Sequence, residues 1–271
     1  SLAPKSTWYP PAMQNLNGKV AIITGGSRGI GRAIALRLAQ DGARVVICAR
    51  GLEGLNQVAG AVTSRGGQAL AVAADLRMPS EPARVADTAV KTYGGIDIVV
   101  NNAGATKRGD FLQLSDDDWA DGFALKFFGA VRLTRAAWPE LKKRSGSVLN
   151  ISGAGGRTPG PEFTIGGSVN AALLSFTKAM ADAGILDGIQ VNAINPGTIR
   201  TGRLQLRLAS IVKEQQIDIE TAERRFVQES KVTRIGEPED VAGLVAFVVG
   251  SEGRFLQGSL IDLDGGSTKT I

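Results

Sequence analysis

Val20-Ala21-Ile22-Ile23-Thr24-Gly25-Gly26-Ser27-Arg28-Gly29-Ile30-Gly31 is the stretch that decides the fold. A short apolar run ends in a glycine-rich turn, and an amphipathic stretch over 29–40 follows at once. Glycines at such a turn let backbone N–H groups approach a pyrophosphate, and the helix N-terminus adds a favourable dipole. A glycine-rich match that follows a first strand and opens a helix is far more specific than one standing alone. Outward from this stretch, short apolar runs keep alternating with longer amphipathic ones, the mark of βαβ units around a parallel sheet. The pattern predicts strands over 20–24, 44–49, 69–74, 98–101, 147–151, 190–194 and 259–262. Helices are predicted over 29–40, 52–64, 81–93, 116–143, 165–183 and 238–249. Ser115 with Asp118 three residues later reads as a capping box opening the fourth helix. Between Arg200 and Arg234 lies a charged, helical insertion, placed where an open α/β sheet keeps a substrate lid.

Composition narrows the chemistry. The 271 residues suit one domain. Glycine, at 35 residues, follows no collagen-like period, so the excess belongs to turns and to places where backbone meets a ligand. The single cysteine, Cys48, rules out an internal disulfide and sits in an apolar run that reads as a buried strand. There is no histidine, which excludes Ser-His-Asp and Cys-His catalysis and His-ligated metal; no metal site is expected. A net charge of +5 favours anionic ligands, but no stretch is dense enough in Lys and Arg to argue for nucleic acid. No apolar run is long enough to span a bilayer. The Pro-rich segment 1–15 reads as flexible and lacks the apolar stretch of a signal peptide, so a cytoplasmic location is expected.

Four further motifs fall in order along the chain: Asp75-Leu76, Asn101-Asn102-Ala103-Gly104, Asn195-Pro196-Gly197 and Asp264-Gly265-Gly266. With the glycine turn they resemble the short-chain dehydrogenase/reductase family over nearly the whole chain, from Gly18 to Gly266. The resemblance implies a single α/β domain over 16–271, a Rossmann-type doubly wound parallel sheet of about seven strands flanked by helices. It also implies a homodimer or homotetramer built partly on the fourth and fifth helices. The residues expected to hold a dinucleotide are Gly25, Ser27, Arg28, Gly29, Ile30, Gly31, Arg50, Asp75, Leu76, Asn102, Ala103, Gly104, Pro196, Gly197, Ile199 and Thr201. An acid at the end of the second strand would accept from the ribose 2′-OH of NAD and repel a 2′-phosphate. Here the strand ends Cys48-Ala49-Arg50, and Arg28 and Arg50 suit that phosphate, so NADP is expected over NAD.

Catalysis in the family usually rests on Asn, Ser, Tyr and Lys. The positions that match are Lys126, Gly153, Gly166 and Asn170, so all four are replaced, and no tyrosine lies beyond Tyr93. Lys126, Ser152, Thr164, Ser168 and Asn170 remain as polar candidates, with Glu162 and Arg157 on the preceding loop. Lys126, Ser168 and Asn170 are taken as the candidate catalytic residues. A lysine near the nicotinamide protonates a carbanion or enolate if burial lowers its pKa. Each also has a plainer reading: Lys126 paired with an acid such as Asp121, Asn170 bonded to ribose or backbone, Ser152 and Ser168 structural. One branch of the family, the 2,4-dienoyl-CoA reductases, also lacks the tyrosine and reads Gly-Ser-x-Lys where this chain has Gly167-Ser168-Val169-Asn170. Three readings follow. The first is an NADP(H)-dependent reductase of an activated C=C or C=O bond, acting on a small molecule such as an acyl-CoA or another anion. The second is a catalytically silent nucleotide-binding homologue serving as sensor or hetero-oligomer partner. The third is a non-redox lyase, isomerase or hydrolase.

Overall fold

The computed structural model describes residues 15–269, so the segment assigned to 1–15 lies, but for Asn15, outside the described residues. The chain runs β1 (Val20–Thr24), α1 (Gly29–Gln40), β2 (Arg44–Ala49), α2 (Leu52–Thr63), β3 (Gln68–Ala73), α3 (Glu81–Tyr93) and β4 (Ile98–Asn101). It continues through α4 (Asp116–Gly122), a π-helical turn (Phe123–Phe128), α5 (Gly129–Lys143), β5 (Ser147–Ile151), α6 (Thr164–Asp187) and β6 (Gln190–Pro196). The last part comprises α7 (Gly202–Gln215), α8 (Ile219–Ser230), α9 (Pro238–Val249) and β7 (Leu260–Leu263).

The seven strands form one parallel sheet in the order β3-β2-β1-β4-β5-β6-β7. Both faces are buried, which is why the strands read as near-continuous apolar runs. Alternate residues feed two separate cores, since strand side chains alternate sides. Ala21, Ile23, Val45 and Ile47 join α1, α2 and α9 on one face. Val20, Ile22, Val46 and Cys48 join α3 and α5 on the other. The chain reverses direction across the sheet at β1, whose neighbours are β2 and β4. A crevice opens beyond the carboxyl ends of the strands at such a switch point, and ligands bind there.

The expected helix over 116–143 spans the right residues but changes pitch. The capping box of Ser115 and Asp118 opens α4 as expected. Residues Phe123–Phe128 then widen into a π turn. An aromatic cluster holds that turn: the Phe127 ring meets Phe123, Phe128 and Phe176 edge-on at 6.2, 5.3 and 6.1 Å. Such single π turns recur at functional sites. The insertion over 200–234 is helical as expected, forming α7 and α8 around a small core of Leu204, Leu208, Ala222, Phe226 and Ile235. Among the described residues no helix is long and apolar enough to cross a membrane.

Candidate functional site

The glycine turn and the end of β4 are tied together at the switch point. Thr24 Oγ1 accepts from the backbone N–H of Asn102 and Ala103 at 2.9 and 2.8 Å. Asn102 Nδ2 donates to the Thr24 carbonyl at 2.8 Å. Backbone packs so closely here that a Cβ on Gly31 would stand 2.2 Å from the Gly25 oxygen. Arg28 occupies the N-cap of α1 in an extended conformation and makes no side-chain cap, which leaves first-turn N–H groups for an anion. On the far side of the crevice, Thr201 opens α7 and its methyl lies 3.3 Å from where a Cβ of Gly29 would be. Gly197 follows β6 and donates to the Leu263 carbonyl at 3.0 Å.

Ile199 is buried and joins the core beside α9 through a bridge to Gly236. Arg28 and Arg50 are both exposed, and neither joins the ion pairs found among the described residues. Asp75 lies two residues beyond β3 and accepts from the backbone N–H of Arg77 at 3.1 Å, with Leu76 buried beside it. Gly25, Gly29, Gly31, Asn102, Ala103 and Thr201 meet at one crevice, and a phosphorylated cofactor suits it. The uncapped N–H groups of α1 and the exposed guanidinium groups of Arg28 and Arg50 would suit an oxyanion, and no acid ends β2.

Lys126 projects from the π turn. Its Nζ donates to the Ser152 carbonyl and to Asn170 Oδ1, each at 2.5 Å. Its stem packs on the Asn-Asn-Ala-Gly motif: a Cβ on Gly104 would meet Lys126 Cδ at 2.9 Å. Burial, and after it the charge of Arg203, pushes the ammonium down from 10.5 to about 7. Asp121, the plainer partner considered for Lys126, is bonded to Arg77 instead, with one contact at 3.0 Å. Asn170 is buried, and its carbonyl accepts from Ser152 Oγ at 3.1 Å. A buried polar ladder backs the site: Asn101 Nδ2 donates to Thr134 Oγ1 at 3.1 Å and to Asn150 Oδ1 at 2.8 Å, and Asn150 Nδ2 to Thr177 Oγ1 at 2.8 Å.

Ser168 is a correction. It lies exposed on α6, and two residues along a helix turn it about 200° from Asn170, so it does not join Lys126. Arg157 is drawn off to Asp262 at 3.0 Å, and Glu162 is exposed on the loop. Thr164 Oγ1 is buried without a hydrogen-bond partner.

Three residues not singled out from sequence complete the site. Phe163 lies over Gly166, where a Cβ would come within 2.0 Å of the ring. Arg108 stacks on that ring at 4.4 Å. Arg203 donates to the Gly104 carbonyl. Gly153 has φ of 149°, a region side chains rarely adopt, and a Cβ there would stand 2.9 Å from Asn170 Nδ2.

The "short chain dehydrogenase" family model matches residues 19–210. An uncharacterized oxidoreductase of Mycobacterium tuberculosis, MT0954, is 40% identical over 258 residues, covering 94% of both chains. The crystal structure of L-sorbose reductase from Gluconobacter frateurii, complexed with NADPH and L-sorbose, superposes with a TM-score of 0.92 at 32% identity, over 96% of this chain and all of that one. A short chain dehydrogenase from Burkholderia cenocepacia in complex with NADP gives 0.83 at 32% identity, over 93% of this chain and 99% of that one. A seven-stranded parallel sheet, a glycine turn at its switch point and relatives of this extent agree: the chain belongs to the short-chain dehydrogenase/reductase family.

Proposed function

We propose that the protein is an NADP(H)-dependent oxidoreductase that reduces an activated C=C or C=O bond, with Lys126 as the proton donor. The observation that carries this reading is the Lys126 Nζ held between the Ser152 carbonyl and Asn170 Oδ1. In family terms, positions 126 and 170 have exchanged their residues: lysine stands where asparagine is usual, and asparagine where lysine is usual. The exchanged pair still meets, so amine and amide remain together in the site. Neither replacement at the other two positions leaves room for the usual side chain, since Gly153 has its unusual φ and Gly166 lies beneath Phe163.

Bound NADPH would supply the hydride to the substrate carbon. The chain's own residues do the rest. An ammonium has three N–H donors; two are taken by Ser152 and Asn170, and the third is left for the substrate. It gives its proton to the oxygen of a reduced carbonyl, or to the carbon of an enolate left by C=C reduction, and Lys126 recovers a proton from solvent. A group near neutrality is suited to both halves of that exchange. Asn170 and Ser152 position the amine. The protein is expected to assemble as a homodimer or homotetramer, which its mass in solution will show.

The test is NADPH oxidation followed at its absorbance with a panel of activated enones and ketones. Lys126→Ala should lower kcat by about 10²–10⁴ with little change in NADPH affinity. The wild-type reduction rate should fall as pH rises above about 7, as the donor loses its proton. Full activity in Lys126→Ala, or a wild type that turns over none of the panel, would count against the reading.

A further inference from the structure

Some arginines around this crevice are paired with carboxylates: Arg77 with Asp75 and Asp121, Arg157 with Asp262, Arg200 with Glu223 and Glu237. A second group stands at the mouth of the crevice. Arg108, in the loop after β4, and Arg203 and Arg207, at the start of α7, join none of the ion pairs among the described residues. Arg203 and Arg207 stand four residues apart on one face of α7, a spacing at which like charges destabilise a helix. Arg203 reaches Gly104, the residue on which the Lys126 stem packs. Arg108 lies on the Phe163 ring, and that ring also comes within 2.9 Å of a Cβ placed on Gly155, beside Asn170. Arg203 thus touches the backbone beside Lys126, and Arg108 the ring that neighbours Gly155 beside Asn170. Arg207 completes the rim, its guanidinium 5.0 Å over the Phe226 ring.

The crowding registers in the groups themselves. Burial first, and then the charge of Arg207, holds Arg108 below its ordinary value, with only Glu162 acting in the opposite sense. Burial and the charge of Arg28 do the same to Arg203. Unpaired cations gathered around a crevice repel one another, and an oxyanion between them relieves that repulsion; guanidinium forks match carboxylate and phosphate oxygens.

We propose that Arg108, Arg203 and Arg207 form an oxyanion-binding rim, so that the substrate reduced beside Lys126 carries a carboxylate or phosphate group away from its reacting carbon. This rests on the reading of the crevice as a reductase site. The experiment keeps the two apart by measuring binding. NADPH is titrated first, by its fluorescence, and decides the cofactor reading alone. The protein with and without NADPH is then titrated calorimetrically with glutarate, glycerol 2-phosphate and coenzyme A, with glutaramide as the neutral control. Glutarate separates a carboxylate from the phosphate probes, and coenzyme A against glycerol 2-phosphate separates a nucleotide carrier from a simple ester. At least one oxyanion should bind about tenfold or more tighter than glutaramide. Arg108→Gln and Arg207→Gln should each remove about tenfold of that preference while NADPH affinity holds. Arg65→Gln, the same charge change in the exposed turn after α2, should leave it intact. Oxyanions bound no better than glutaramide, or an equal loss in all three variants, would overturn the proposal.

Discussion

Replacing Lys126 by methionine removes the ammonium and keeps most of the stem. In the native fold, burial and then the charge of Arg203 bring this lysine from 10.5 down to about 7. The sign of the effect is fixed by the direction of that drop. Between about pH 7 and 10.5 the unfolded chain holds a proton that the folded chain has released, so stability climbs as pH rises through the window. Below about pH 7 the full penalty of a charged, enclosed amine is present. At about 1.36 kcal/mol per pH unit the whole drop corresponds to at most about 5 kcal/mol. The side chain keeps partial contact with solvent, which brings the expectation to about 2 kcal/mol. Methionine also leaves the Ser152 carbonyl and Asn170 Oδ1 without their donor, a loss of about 1–3 kcal/mol. That loss is the same at every pH and drops out of the comparison. Urea denaturation of both proteins, followed by tryptophan fluorescence, should show the wild type gaining about 2 kcal/mol on the variant between about pH 7 and about pH 10. Parallel pH dependence in the two proteins would mean a freely solvated ammonium, and the case for Lys126 as a proton donor at neutral pH would fall.

Arg28→Ala combined with Arg50→Ala should weaken NADPH binding by about tenfold or more and leave NADH unchanged; equal losses for both cofactors would show that neither arginine reads the 2′-phosphate. Gly166→Tyr alone should lower the melting temperature, because its Cβ would fall 2.0 Å from the Phe163 ring. Adding Phe163→Ala should restore much of that loss, and no recovery would place the clash elsewhere. Burial pushes the Cys48 thiol up to about 12, so a thiol reagent at mildly alkaline pH should label it only as the protein unfolds. Rapid labelling of the folded protein would contradict its place in the core.

The fold was legible because its signals are local. The run Val20–Thr24, the glycines after it and the capping box at Ser115 each bias a few neighbouring residues toward one conformation, and the sheet follows from their order. Boundaries failed where packing outweighed local preference. Gly184 reads as a helix end, yet α6 runs on to Asp187 and stops at Gly188, whose φ is 73°. Gly184 is instead a close approach, where a Cβ would meet the Ile189 oxygen at 2.3 Å. β6 reaches Pro196 because its backbone still pairs with β7 there, Asn195 against Asp262 and Pro196 against Leu263. In the site, Lys126 and Asn170 were visible as departures from a family pattern, but their meeting depends on the π turn, which periodicity does not reveal. Ser168 was misjudged through its neighbours in sequence. Phe163, Arg108 and Arg203 carried no sequence signal, since their roles come from three loops and helices brought together at the strand ends.

The π turn has a consequence for how this stretch tolerates change. α4 docks through Gly122, where a Cβ would meet Ile165 at 2.6 Å, while α5 docks separately through Leu133, Ala137 and Leu141. A π turn takes up about one residue more than an α turn, and each residue of an α-helix accounts for about 100° of rotation. Deleting one residue from Phe123–Phe128 would therefore restore ordinary helical pitch and swing one docking face about 100° relative to the other. Either Gly122 would leave Ile165 or the α5 face would leave its core, and Lys126 would turn with whichever half carried it. The two docking faces thus act as a phase lock on chain length: residues in this stretch can be exchanged with modest consequences, whereas their number cannot.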